Sequence, residues 1–312
     1  MIQERLKALR AEMEKRGITV YVVPTADFHE SEYVGDHFKA RKFITGFTGS
    51  AGTAVITLDE AGLWTDGRYF VQAENQLKDS TVTLYRMGEE GVPTVDEFVK
   101  DRLKEGGCLG FDGRVVNGTW GGKLEKIAAE KNVSMHVTED LIDLIWEDRP
   151  ALSKQPLFIL EEKYSGKSTA DKIADLRKAM KENGADVHIL TSLYDIAWLL
   201  NIRGNDIDYV PVVLSYLVLN ETECIWFLQE EVVDDKIRAY LEENHITTKP
   251  YDAIYDYVPE IPADAVVLMN RGTVNYRIVN SLDKAIKVVD KPNPTELMKA
   301  VKNKTEVDNT RA

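Results

Sequence analysis

The 312-residue chain is predicted to be an α/β protein built from two copies of one domain. Three observations carry that prediction. A helical pattern occurs twice with the same internal spacing, Leu9-Arg10, Met13 and Gly17 recurring as Leu176-Arg177, Met180 and Gly184. A short apolar strand follows each helix, at residues 18–23 and 187–190. A hairpin comes later in each half, at 55–64 and 217–226. One matched helix could arise by chance, but helix, strand and hairpin in the same order define a repeat.

Residues 2–16 set Leu6, Leu9 and Met13 along one face, the period of a half-buried helix. Gly17 then stops it as a C-cap. Residues 18–23 form a buried strand closed by Pro24. Residues 53–57 alternate and are rich in β-branched side chains, so they read as a strand. Asp59-Glu60-Ala61-Gly62 reads as the turn, and Leu63-Trp64-Thr65 as the returning strand. Asp66 stands where an N-cap belongs, at the head of a helix carrying Tyr69, Phe70, Ala73 and Leu77 on one face. Asp66, Gly67 and Arg68 therefore occupy a strand-to-helix corner, either as a capped corner with a solvated arginine or as a presented site.

The first domain is expected over 1–150, ending with a helix that carries Leu141, Leu144, Ile145 and Trp146. Pro150 and Pro156 make 148–156 a linker. The second domain is expected over 157–292, followed by another proline-broken joint. Residues 293–312 read as a short helix, a joint at Asn303-Lys304 and a second helix capped by Thr305. A domain should not stop inside a new helix, so the chain is expected to be a piece of a longer protein.

Composition narrows the class. Lys and Arg number 39 against 52 Asp and Glu, a net charge of −13, which argues against nucleic acid or an anionic membrane as partner. The first residues carry charge where a signal peptide needs an apolar run, and no apolar stretch approaches the ~20 residues of a membrane helix. Cys108 and Cys224 lie far apart in apolar settings, which suits a buried, reduced pair in a cytoplasmic protein, although a disulfide stays open at this point.

Four stretches could carry chemistry. Gly46, Gly49 and Gly52 suggest a phosphate loop, but they lead into a strand rather than into a helix whose N-terminus would hold pyrophosphate. A structural loop with close backbone approach is the better reading. Residues 27–37 gather acids with His29 and His37 at a spacing that matches no helical or hairpin ligand set. His136, His188 and His245 are isolated. In the second half, Ile196, Leu199 and Leu200 form an apolar helical face, Asn201 and Gly204 break the helix, and Arg203 and Asp206 are left on the exit loop before a strand beginning at Pro211. There the two side chains either pair to stitch the loop, or Arg203 presents a planar donor to a partner or a peptide carboxylate.

The segments 29–33 (His-Glu-Ser-Glu-Tyr), 43–53, 63–70 (Leu-Trp-Thr-Asp-Gly-Arg-Tyr-Phe), 145–150, 195–204 and 300–303 occur in an order that resembles the cytoplasmic three-domain Xaa-Pro aminopeptidases, the aminopeptidases P of the pita-bread metallopeptidase family. The family's usual Asn-Pro-Val reads Val210-Pro211-Val212 here. The resemblance implies two creatinase N-terminal-type domains, each a mixed β-sheet flanked by helices, with the pita-bread catalytic domain absent and 293–312 entering its first helix. It implies that the parent removes the residue before proline with two divalent ions, manganese being the usual metal. Those ions supply the activated water and polarise the carbonyl of a hindered bond that lacks an amide hydrogen. No such ligand set stands in this chain, so no catalytic residue, metal or cofactor is expected in it.

By the same resemblance, Arg68 corresponds to an arginine that the first domain points into the catalytic cleft. Tyr69, His29, Arg203 and Asp206 are candidates for lining the same face. The expected partners are the chain's own catalytic domain, Xaa-Pro peptides and a second copy of the parent in a homodimer, and the expected compartment is the cytoplasm. The alternatives are a protein-binding module of the histone-chaperone type with a dead peptidase-like head, and a prolidase or creatinase.

Overall fold

The helix Ile2–Lys15 buries Leu6, Leu9 and Met13, each contributing about 1.5–3 kcal/mol of apolar transfer. Gly17 ends it at φ +67°. The Gly17 N–H donates to the Glu14 carbonyl at 3.1 Å and the Ile18 N–H to that of Met13 at 2.9 Å. Glycine suits this place because a Cβ would oppose the left-handed turn. The helix Thr169–Glu182 repeats the device: it buries Leu176 and Met180, Gly184 sits at φ +63°, and the Ala185 N–H donates to the Met180 carbonyl at 2.9 Å.

The computed structural model describes residues 1–312. They divide into one unit of Met1–Phe28 with Asp36–Ala151 and another of His29–Gly35 with Leu152–Ala312. In the first unit the strands are β1 (Val20–Pro24), β2 (Thr53–Thr57), β3 (Ala61–Thr65), β4 (Thr83–Arg86), β5 (Cys108–Phe111) and β6 (Ser134–His136), in the order β4-β3-β2-β1-β5-β6. The pairs β1–β2 and β2–β3 are antiparallel; β3–β4, β1–β5 and β5–β6 are parallel.

The second unit has β7 (Phe158–Ile159), β8 (Val187–Leu190), β9 (Ile202–Arg203), β10 (Ser215–Leu219), β11 (Cys224–Leu228), β12 (Thr247–Pro250), β13 (Val266–Met269) and β14 (Lys287–Asp290). Its main sheet runs β12-β11-β10-β8-β13-β14. The same two antiparallel and three parallel pairings recur strand for strand. The short pair β7–β9 stands apart from this sheet. Each unit is therefore a mixed sheet flanked by helices. The central strands are buried along their whole length, as strands covered on both faces are.

The repeat reaches individual hydrogen bonds. Arg10 Nε donates to the Thr57 carbonyl at 2.9 Å, clipping the first helix to the turn of the β2–β3 hairpin. Arg177 Nε donates to the Asn220 carbonyl at 3.0 Å, clipping its own helix to the β10–β11 turn. Both clips follow from the leucine–arginine pairs noted in the sequence. Both cysteines are buried and free, and no helix is long and apolar enough to cross a membrane.

Three local expectations are corrected. Strand β3 begins at Ala61, within the expected turn. The turn closes earlier because the Thr57 N–H donates to the Glu60 carbonyl at 2.9 Å and the Thr57 hydroxyl accepts from the Glu60 N–H at 3.0 Å. The expected helix around 141–146 is a run of turns. The Leu141 N–H donates to the Tyr21 hydroxyl and the Ile142 N–H to the Asp140 carboxylate, which draws the backbone away from a helical ladder. The last helix, Lys304–Arg311, is capped by Asn303 rather than Thr305: Asn303 Oδ1 accepts from the Glu306 N–H at 2.9 Å, and Glu306 Oε2 accepts from the Asn303 N–H at 2.9 Å.

Candidate functional site

The corner after β3 is built differently from its expected form. The helix that follows is Phe70–Gln76, and its N-cap position is Tyr69, without a side-chain cap. Asp66 instead organises the turn: its Oδ1 accepts from the Arg68 N–H at 3.0 Å. The two side chains then pair in the fork geometry, Nε to Oδ1 and Nη2 to Oδ2, both at 2.8 Å. The bond from Arg68 takes the Asp66 carboxyl down to about 2, and the carboxylate in turn raises the Arg68 guanidinium. Arg68 remains 70% exposed. Its guanidinium carbon lies 5.2 Å from the Tyr69 ring centroid. The corner thus holds an exposed arginine in a set direction, with its Nη1 unspent on the protein.

Tyr69 is half-buried and connects this corner to the glycine loop. Its hydroxyl lies 2.6 Å from that of Ser50, and its ring meets Phe47 edge-on at 5.9 Å. The loop has the close backbone approach expected of a structural element: a Cβ at Gly49 would sit 2.2 Å from the Phe47 ring.

The loop is held from below by Arg41, which is 4% exposed and has no carboxylate partner. Its Nη1 donates to the Phe47 carbonyl at 2.5 Å and its Nη2 to the Gly49 carbonyl. Its Nε donates to the Thr25 hydroxyl at 2.9 Å, which donates onward to the Gly52 carbonyl at 2.8 Å. Burial pulls the Arg41 guanidinium down to about 10. Sequence reasoning missed this residue. In the sequence Arg41 stands beside a second cation in Ala40-Arg41-Lys42-Phe43-Ile44, which gives it no mark that separates it from a surface arginine.

The other candidates lie in the second unit. His29 is buried: Nδ1 donates to the Thr191 carbonyl at 3.1 Å, which leaves Nε2 to accept from the Tyr251 hydroxyl at 2.6 Å. Its ring meets that of Tyr216 at a tilt of 40°, with centroids 4.5 Å apart. Arg203 and Asp206 do not pair with each other, so the first of the two alternatives for that loop, a stitching ion pair, is not formed. Arg203 Nη1 donates to the carbonyls of Ala197 and Ile202, and burial pulls its guanidinium below the usual value. Asp206 is buried and accepts from the backbone N–H groups of Gln155 at 3.1 Å and Leu214 at 2.9 Å. By drawing the Leu214 N–H to a side chain, Asp206 helps delay the ladder, so β10 starts at Ser215 rather than Pro211. The structure therefore brings Arg68 and Tyr69 together at one corner, while His29, Arg203 and Asp206 each make bonds that order the second unit.

No three His, Cys, Asp or Glu side chains cluster as a group that could hold a metal ion. In the 27–37 stretch, His29 is engaged as above and His37 Nδ1 donates to the Pro150 carbonyl at 2.8 Å.

The two sheets of identical order define a chain of paired creatinase-type N-terminal domains. The creatinase/prolidase N-terminal domain models match residues 5–145 and 148–306, and the chain belongs to that family. A Sordaria macrospora protein named "Probable Xaa-Pro aminopeptidase P" is 39% identical over 99% of this chain and 52% of its own length. Arabidopsis thaliana "Aminopeptidase P2" is 35% identical over 91% of this chain and 41% of its own. The chain spans about half the length of the curated relatives it matches. Among solved structures, the X-prolyl aminopeptidase of Caenorhabditis elegans, described as a cytosolic enzyme with a di-nuclear active site, matches 100% of this chain and 53% of its own, at 31% identity and a TM-score of 0.93.

Proposed function

We propose that this chain is the non-catalytic N-terminal region of a metal-dependent Xaa-Pro aminopeptidase. The parent removes the N-terminal residue before proline with two divalent ions, manganese being the metal we favour. The observation that carries the reading is the correspondence of the whole chain to about half of an X-prolyl aminopeptidase at a TM-score of 0.93. In the parent this region walls the substrate cleft, limits access to short peptides and supports a homodimer in the cytoplasm. Alone it hydrolyses nothing.

Within that reading Arg68 is the peptide-facing group. Its exposure and its fixed fork on Asp66 suit a donor that meets a substrate oxygen without first being ordered. Tyr69 shapes the same corner through Ser50. His29, Arg203 and Asp206 act on the peptide side by holding the loops on which they sit. The second copy supports assigning this role to the first: in hairpin register, the counterpart of the 66–68 corner is Gln229-Glu230-Glu231, which presents acid where Arg68 presents a cation.

The test is hydrolysis of an Xaa-Pro peptide with manganese, comparing this chain, the full-length protein and full-length Arg68→Ala. Activity is expected only in the full-length forms. Arg68→Ala should lower kcat/KM about tenfold, the scale of one charge-assisted hydrogen bond. Metal-dependent cleavage by the 312-residue chain alone overturns the proposal.

A further inference from the structure

The second unit contains a cleft that the peptide-cleaving role leaves without a purpose. Its volume is about 290 Å³, and it opens among the helices Glu162–Ser165, Thr169–Glu182, Leu193–Leu200 and Lys304–Arg311. Three cations line it, Lys172, Arg203 and Lys302, against one carboxylate, Glu306. Glu306 already accepts from the Asn303 N–H as part of a cap. The lining thus carries an excess of positive charge in a chain whose net charge is −13.

The donors are held in place but incompletely used. Arg203 spends only Nη1 on the Ala197 and Ile202 carbonyls, which leaves the Nε–Nη2 edge, the planar pair that meets an oxyanion with two parallel bonds. Lys172 is 1% exposed. It donates to the Trp198 carbonyl at 2.8 Å and to Asn201 Oδ1 at 2.7 Å, with its ammonium 4.3 Å above the Trp198 ring, so one of its three N–H groups is unspent. Lys302 is exposed at the junction before the last helix and gives one bond to the Lys299 carbonyl. No carboxylate pairs directly with any of the three. Glu306 is the one carboxylate whose charge reaches both Lys172 and Arg203, so burying the two cations leaves positive charge uncompensated, and a bound anion removes that cost.

We infer that this cleft binds a small dianionic oxyanion, a phosphate group, with Arg203 as the bidentate anchor and Lys172 and Lys302 as the flanking cations. Three cations against one carboxylate match a dianion better than a monocarboxylate. The volume suits a phosphate or a small phosphorylated metabolite. Of the residues in the peptide-cleaving proposal the cleft uses only Arg203, through the Nε–Nη2 edge rather than the Nη1 that holds its loop, and the test needs no catalytic activity, so either reading can fail without the other.

The test is titration of the 312-residue chain with inorganic phosphate at constant ionic strength, followed by calorimetry and amide NMR, with acetate as a parallel titrant. Saturable phosphate binding is expected in the millimolar range or tighter, with shifts at residues 162–166, 198–203 and 302–310. Arg203→Gln should weaken it about tenfold, the loss of one charge-assisted pair. Lys302→Gln, at an exposed position, should weaken it severalfold without a change in the circular dichroism spectrum. No saturable binding through the millimolar range overturns the inference. So does equal affinity for acetate, which would mean charge screening without a dianion site, and so does unaltered phosphate affinity in both variants.

Discussion

Replacing Arg41 with methionine tests whether one buried cation holds the glycine loop beneath the Arg68 corner. The substitution keeps much of the apolar stem and removes three hydrogen bonds, two of them to the carbonyls of the buried residues Phe47 and Gly49. Each buried acceptor left without a donor costs about 1–3 kcal/mol. Against this, the variant no longer holds a guanidinium out of water without a carboxylate, a gain that offsets part of the loss. The net expectation is a destabilisation of about 2–4 kcal/mol, read from urea unfolding of the 312-residue chain, with native-state hydrogen exchange assigning the loss to the first unit. Arg41→Lys should recover less than half of it, because a single ammonium cannot serve carbonyls that are reached by two separate guanidinium nitrogens. A loss below about 0.5 kcal/mol for Arg41→Met, the scale of an unremarkable surface change, would refute the argument.

Three further outcomes follow from the geometry. Gly49→Ala forces a Cβ to 2.2 Å from the Phe47 ring, and overpacking of this kind should cost about 1–3 kcal/mol; an unchanged unfolding midpoint would show that the ring moves aside freely. Arg10→Met and Arg177→Met each break the same helix-to-hairpin clip in one copy of the repeat. Each should cost about 1 kcal/mol, with amide exchange accelerating locally around the 57–60 turn in one variant and the 220–223 turn in the other. Burial first, and then Arg203, brings the Lys172 ammonium down to about 8 from an ordinary 10.5. A depressed value contributes stability that is present above the unfolded value and is lost as pH falls through the folded one. The wild type should therefore gain stability relative to Lys172→Met between about pH 8 and pH 10.5, by at most about 3 kcal/mol. Parallel pH profiles for the two proteins would refute this.

Much of the architecture was legible in the sequence, because the signals are local. The 3.6-residue spacing of Leu6, Leu9 and Met13, the left-handed glycines at 17 and 184 and the β-branched run at 53–57 depend on neighbours within a few residues. A repeat of such signals in one order can be read without knowing where anything lies in space. The corner at Asp66-Gly67-Arg68 was located for the same reason. Its internal bonding was misjudged because an aspartate before a helix can cap the helix or close its own turn. The choice fell to the turn, with Arg68 supplying the partner two residues away.

The chain's own order of residue types thus determined the two α/β copies, their shared helix, strand and hairpin, and the family that they identify. Tertiary structure alone decided which polar side chains are spent on the fold. Arg203 and Asp206 are three residues apart and oppositely charged, yet each serves a different piece of backbone. Arg41 and Lys172 carry no sequence mark that separates them from surface cations, yet both are buried. The reason is physical: a side chain's partner is set by whichever unsatisfied carbonyl or N–H group the packed chain brings to it. Those groups arrive from Phe47, Gly49, Trp198 and Leu214 only once the sheets and helices have closed around them.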